Sequence, residues 1–360
     1  MCHCRCKNNH RCHCKHKHRD TTKCKSILDA ISNLQQHSDA MDKKGICIED
    51  KTASYTPMSH YPLISTDTFP SVWPTTAYPI KSMRIFSYSQ GNVPAKQWAL
   101  WAIKNNIKIL IGINLQNYTS DLDTLSADYL AADPALKQKF EDNILAYAVG
   151  NEAGVGEIPN MIAGITYARN LITGNNLPNK PVSSVLSLTE QWITNTYPPE
   201  NGIFTADFLT LEPNLDIIMF NAYGGYFLYI PELLDASLSW TSNGQQFSVL
   251  LNQFGAIRSA MSKACISKEL WITETGWSSA PVSNAEPTGW STPDNQRTFY
   301  KNFLNFNMNV PFLPQEASTY VMPPERIFWF SVRDSYYALL NINEYFGLYT
   351  EQESPLVQKI

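Results

Sequence analysis

Two glutamates in this sequence stand where an apolar run stops. Ala146 to Gly150 (AYAVG) leads directly into Asn151 and Glu152, and the run from Glu269 (ELWIT) leads into Glu274, followed by Thr275, Gly276 and Trp277. A carboxylate taken out of water is tolerated only with a partner or a task. Two acids facing one cleft have such a task in glycoside hydrolysis. One protonates the leaving oxygen and the other attacks the anomeric carbon, and a separation of about 5 to 5.5 Å gives retention of configuration. The bland alternative is that each acid merely caps its strand or neutralises a nearby arginine. Two acids, each in a polar, Gly-flanked motif at the end of its run, favour the paired reading. Other runs end in the same way, on Asn221 and Tyr223 and on Arg333 and Asp334.

Bringing such ends together requires a frame. Eight short apolar segments are candidate strands: Gly45 to Asp50, Met83 to Tyr88, Ile107 to Ile113, Ala146 to Gly150, Val182 to Leu188, Asp216 to Tyr223, Glu269 to Glu274 and Ile327 to Val332. Most are apolar throughout, the pattern of strands buried on both faces. Between them lie segments of helical spacing: Pro94 opens one that buries Trp98, Trp101 and Ala102, and Pro134 opens another with Leu136, Phe140 and Ile144. Pro159 begins a third, ended by Gly174, and Asp294 is placed to cap a fourth that carries Phe299, Phe303 and Phe306. Repeated strand-helix alternation indicates an α/β protein with a (β/α)8 TIM barrel. A doubly wound open sheet is the competing architecture. It wants a Gly-rich phosphate turn after its first strand, and GICIEDKTA has none. In a barrel the C-terminal strand ends converge on one mouth, and the fourth and seventh strands face each other across it.

Composition agrees with a globular enzyme: 44% of the 360 residues are hydrophobic and 17% charged. No apolar run of about 18 residues suggests a membrane span, and the first residues lack the apolar stretch of a signal peptide, so export by the usual route is not expected. The net charge of −4 conceals a basic tail: residues 1–25 hold eight Lys or Arg and one Asp. The same stretch holds Cys2, Cys4, Cys6, Cys12, Cys14 and Cys24 together with His3, His10, His13, His16 and His18. Cys-x-Cys spacing lacks paired zinc knuckles. The tail therefore reads first as a solvated, disordered basic segment, with a metal-binding tail and an anionic-partner tether as alternatives. Residues 26–44 read as a linker or short helix before a catalytic domain at 45–360. Cys47 and Cys265 are expected to be buried small hydrophobes.

The chain resembles glycoside hydrolase family 17, the β-1,3-glucanase family. The residues that carry the resemblance are Val149-Gly150-Asn151-Glu152, Phe220-Asn221-Ala222-Tyr223, Ile272-Thr273-Glu274-Thr275-Gly276-Trp277, Phe328-Trp329-Phe330 and Tyr345-Phe346-Gly347-Leu348-Tyr349. They span roughly residues 45 to 352 in consistent order. The resemblance implies a retaining enzyme on a (β/α)8 barrel, with Glu152 as general acid/base and Glu274 as nucleophile. It implies that Asn151 binds the sugar 2-hydroxyl and that Tyr223 holds the nucleophile ionised through a hydroxyl hydrogen bond. Asn221 and Trp277 join the substrate-binding group, Trp277 either lining the cleft or packing in the core. For Arg84 an internal salt bridge is expected over a sugar contact.

Ser278 stands where relatives have proline, and Ser331 and Ser335 replace two acids beside Asp334, changes that bear on substrate preference more than on the chemistry. The expected activity is cleavage of β-1,3-glucosidic bonds through a covalent glycosyl-enzyme intermediate, with Glu152 protonated for the first step and deprotonated for the second. A transglycosylase using the same glutamates and a non-catalytic glucan-binding relative are the alternatives. No cofactor, metal, nucleic acid or membrane is expected to take part. The partner is a β-glucan, and the chain is expected to be a monomer.

Overall fold

Eight parallel strands close on themselves in the computed structural model, which describes residues 6–7, 11–12, 39–48, 69–89, 94–241, 247–337, 342–350 and 358–360. The barrel strands are β1 (Lys44–Cys47), β2 (Ser82–Ile85), β3 (Lys108–Ile113), β4 (Ile144–Asn151), β5 (Val182–Ser187), β6 (Ile218–Asn221), β7 (Leu270–Thr275) and β8 (Arg326–Trp329). Each pairs with its neighbour in sequence, and β8 returns to β1 with Ile327 opposite Lys44 and Trp329 opposite Ile46. All eight expected runs therefore form strands, and the expected open-sheet alternative is excluded by the closure. Burial on both faces explains their composition: in β7 every residue from Leu270 to Thr275 is buried, the polar ones included.

Helices α1 (Pro94–Lys104), α2 (Tyr118–Ala131), α3 (Pro134–Asn143), α4 (Ile158–Thr173), α5 (Ala206–Leu211), α6 (Leu234–Leu238), α7 (Val249–Lys263) and α8 (Pro293–Asn305) accompany the strands. Their ends follow from local chemistry. Asp133 caps α3 by accepting from the Leu136 N–H, with Pro134 in the first turn, and α4 stops at Gly174. Asp294 does not cap α8. Thr292 does, accepting from the Asn295 N–H, because Pro293 takes the first helical position, where no N–H is needed; Asp294 follows it in the first turn. Helix α2 was not anticipated, because it buries only Leu122 and Leu125 as large apolar groups and places Asp121 among them.

The sequence expectations for the Cys/His-rich tail and for residues 26–44 fall almost wholly outside the described residues, as do Glu49 and Asp50 of the first expected strand. Cys47 is buried as anticipated, but Cys265 is exposed, because it sits in the left-handed turn that follows α7. Among the described residues no helix is long and apolar enough to cross a membrane.

The end of α8 is closed by a lysine from the opposite side of the sequence. Lys44 of β1 is fully buried, and its Nζ donates to the carbonyl oxygens of Leu304 and Phe306 at 2.7 and 2.8 Å, beside the Phe303 ring. Burial pulls its pKa from 10.5 down to about 7. Between those values the unfolded chain holds a proton that the folded chain has released, so this group makes stability rise with pH, by up to about 1.4 kcal/mol per unit. Urea unfolding at pH 7 and pH 9.5 should show that rise in the wild type and a flatter dependence in Lys44→Met.

Candidate active site

The C-terminal ends of β2, β4, β6 and β7 deliver one connected set of polar side chains. Glu274, at the end of β7, is 5% exposed. Its Oε1 accepts from Arg84 Nη1 at 2.8 Å and from Asn221 Nδ2 at 2.7 Å, and its Oε2 accepts from the Tyr223 hydroxyl at 2.6 Å. A guanidinium and two neutral donors all favour the carboxylate over the acid. The phenol of Tyr223 is held protonated, since the surrounding protein, then the charges of Glu274 and Glu152, push its pKa well above 10.0.

Arg84 is the hub beneath the two acids. Its second arm donates from Nη2 to Asn151 Oδ1 at 2.7 Å, while Nη1 also reaches the Thr273 carbonyl at 2.8 Å and Asn221 Oδ1 at 3.2 Å. At 1% exposure it cannot reach a sugar, so the expected internal salt bridge is what the structure contains. The Thr273 hydroxyl fixes the Asn221 amide by donating to Oδ1 at 2.8 Å.

Glu152 is exposed at the mouth and lies across from Glu274. The end of β4 is bent to present it: the pairing of β4 with β5 shifts register between Ala148 and Asn151, Gly150 has φ 81°, and Glu152 has φ 55°. A bulge of this kind re-aims side chains at a strand end, and Gly150 supplies the backbone that an L residue rarely adopts. The amide nitrogen of Asn221 donates to Glu152 Oε1 at 3.0 Å as well as to Glu274 Oε1. One oxygen of each carboxylate therefore meets the same donor, which brings the two acids close together across the mouth.

The structure therefore brings Glu152, Glu274, Asn151, Tyr223 and Asn221 together. Asn151 is exposed beside Glu152, with its amide oxygen held by Arg84 and by Asn221 at 3.0 Å. Asn221, grouped with the substrate-binding residues from sequence, is only 3% exposed and braces the two acids from below. Trp277 is a clearer correction. It is fully buried, its indole N–H donates to the Trp290 carbonyl at 3.1 Å, and its ring packs against Tyr226, Trp290 and Phe299. Gly276 turns the chain away from the mouth against the Phe330 carbonyl, which a Cβ there would meet at 2.5 Å, and the indole follows into the core.

The departures noted in sequence also lie off the cleft. Ser278, Ser331 and Ser335 are buried, and their hydroxyls donate to the Ala280 carbonyl, the Arg333 carbonyl and Glu344. Asp334 pairs with Lys359 at 2.6 Å. Sequence reading overlooked the aromatic wall. Phe86, Phe227, Phe330 and Phe346 stand around Arg84 and Tyr223, with the Arg84 guanidinium 4.4 Å from the centre of the Phe86 ring. Phe86 and Phe330 directly follow β2 and β8, which was the available signal, whereas Phe346 lies well beyond the end of β8.

No protein-family profile matches the chain. Over 129 residues it is 30% identical to the acidic isoform GL161 of glucan endo-1,3-β-glucosidase from Nicotiana tabacum, a stretch covering 31% of this chain and 37% of that protein. The match thus spans little more than a third of that relative's length. Among solved structures, a plant β-glucan endohydrolase superposes with a TM-score of 0.61 at 18% identity, over 88% of this chain and 98% of the other. A β-1,3-glucanase and allergen of Cryptomeria japonica pollen gives 0.59 at 19%, over 86% and 97%. An active-site mutant of the β-1,3-glucanosyltransferase of Rhizomucor miehei, solved with laminaritriose, gives 0.51 at 14%, over 89% and 98%. At these identities the likeness establishes a shared fold.

Proposed function

We propose that this chain is a glycoside hydrolase family 17 enzyme that cleaves β-1,3-glucosidic bonds in β-glucans with retention. The observation that carries the reading is the pair Glu152 and Glu274, held close by one Asn221 amide nitrogen at the mouth of a closed barrel. The relatives that share this fold include β-1,3-glucanases and a β-1,3-glucanosyltransferase, which supports a β-glucan as substrate.

In the first step Glu274, kept ionised by Arg84, Asn221 and Tyr223, attacks the anomeric carbon as Glu152 gives its proton to the departing oxygen. The bond to the leaving sugar breaks and an ester to Glu274 forms. In the second step Glu152 takes the proton of an incoming hydroxyl, that oxygen bonds to the anomeric carbon, and Glu274 leaves as the carboxylate. Asn151, anchored by its oxygen, has an amide N–H available for the sugar 2-hydroxyl, a bond that strengthens as the ring gains positive charge. Burial of Arg84 and Glu274 means that the charge on the nucleophile is organised before substrate arrives.

The test is incubation of the purified chain with a laminarin-type β-1,3-glucan, following product size by chromatography and the configuration of freshly formed ends by NMR. Shorter products carrying β configuration at the new end are expected. Products that first appear as the α anomer would reject the two-step route, and a glucan that is bound but unchanged would make the barrel a binding module.

A further inference from the structure

The loop after β6 carries Phe227, Leu228 and Ile230 at 56%, 48% and 40% exposure, a run of large apolar side chains set out to solvent on the face that holds the two glutamates. Such a patch beside a cleft marks a contact surface. The loop that presents it is firmly held. Trp290 Nε1 donates to the Tyr226 carbonyl at 2.8 Å, Gln253 Nε2 donates to the Gly224 carbonyl at 3.1 Å, and the Tyr226 hydroxyl donates to Glu286 at 2.9 Å. Directly after these anchors the Phe227 ring stands edge to face with Tyr223, 5.3 Å between centres, and Tyr223 is the residue whose hydroxyl touches Glu274. Phe227 is thus fixed one ring away from the nucleophile with more than half its surface uncovered.

Resting on the reading of the cleft given above, we propose that Phe227, with Leu228 and Ile230 beside it, is the platform for the sugar that accepts the glucosyl group. It is therefore the determinant of transfer to sugar over transfer to water. The position of the acids selects this side. Glu152, which serves the leaving and incoming oxygens, is on β4, and Phe227 follows β6 on the same half of the mouth. Phe86 and Phe330, after β2 and β8, occupy the other half, where the glucosyl group held by Glu274 would lie. A pyranose ring has an apolar C–H face that packs on an aromatic ring, whereas water gains nothing from one. A platform that holds an acceptor in place raises its effective concentration against bulk water. In the step so favoured, a hydroxyl oxygen of the acceptor bonds to the anomeric carbon and the bond to the Glu274 oxygen breaks. The electron pair returns to that carboxylate, and the hydroxyl proton passes to Glu152.

The experiment uses the full chain and a β-laminaribioside with a small activated leaving group, assayed with increasing laminaritriose as acceptor. Phe227→Ala should need about tenfold more acceptor for half-maximal transfer, and Phe227→Trp should stay near the wild type. Release of the leaving group without acceptor is measured in each variant as the reference by which transfer is divided, so that any disturbance passed through Tyr223 to Glu274 cancels from the comparison. Tyr320→Ala, at an exposed aromatic outside this loop, should leave both readouts unchanged. An unaltered acceptor requirement in Phe227→Ala overturns the proposal while leaving the glucanase reading in place, as does a loss confined to release. A wild type that neither releases nor transfers the sugar defeats the reading of the cleft, and this inference with it.

Discussion

Glu274→Gln should lower turnover of a β-1,3-glucan by about four orders of magnitude or more, because on the proposed reading it removes the carboxylate that forms the glycosyl ester. The barrel should still close. Glutamine keeps the volume and an acceptor oxygen, and Arg84 retains Asn151 Oδ1, Asn221 Oδ1 and the Thr273 carbonyl as partners. The cost of leaving Arg84 buried without its counter-charge is about 3 to 5 kcal/mol in comparable pairs, its neutral acceptors holding it toward the lower end, and is readable as a fall in thermal midpoint. Shortening the side chain separates the roles of the two acids. With azide and an activated β-glucoside donor, Glu274→Ala should form the α-glucosyl azide, by single displacement into the space the carboxylate left. Glu152→Ala should form the β-glucosyl azide, because the ester to Glu274 still forms first. The same azide anomer from both variants would overturn the assignment.

Arg84→Met should cost both stability and activity. Arg84 and Glu274 form an ion pair with side-chain exposures of 1% and 7%, so solvent does little to screen it. Removing the cation leaves a buried carboxylate with two neutral donors, a change that costs about 3 to 5 kcal/mol in comparable buried pairs. The sign of the pH effect follows. Without the positive charge the carboxylate is harder to ionise, so the acid limb of kcat/KM should move to higher pH, and activity at neutral pH should fall by about two to three orders of magnitude. Arg84→Lys should restore part of the stability. It should leave Asn151 poorly held, since one ammonium cannot span Glu274 and Asn151 as the two arms of the guanidinium do. An unshifted acid limb in Arg84→Met would show that the pair does not set the state of the nucleophile.

The barrel was legible because parallel strands buried on both faces write themselves as short unbroken apolar runs, and all eight are visible without reference to one another. The candidate acids were legible for a related reason, since a charged residue at the end of such a run has few structural excuses. What the sequence could not display is which polar ends meet. Arg84 looks like any arginine in MRIFSY until the barrel closes and sets it under Glu274. Asn221 reads as another polar strand end, and only the contacts of its amide nitrogen, to Asn151, Glu152 and Glu274, reveal a spacer. Trp277 shows the opposite limit: one residue past a turn, the same indole can face a cleft or a core, and the Phe330 carbonyl beneath Gly276 decides it. Helix α2 escaped notice because part of what it buries is the carboxylate of Asp121, which accepts from the N–H groups of Tyr88, Ser89 and Asn114.

The ion pair at the centre of the site joins residues 190 positions apart. On a ribosome adding about 5 to 20 residues per second, Arg84 therefore emerges on the order of 10 to 40 s before its counter-charge exists. Throughout that interval the guanidinium is best left in water, because burying it before Glu274 arrives would cost its hydration without the ion pair that offsets it. A chain interrupted before β7 lacks the second acid altogether, and a barrel closed without it would hold Arg84 buried with no charge partner at that position.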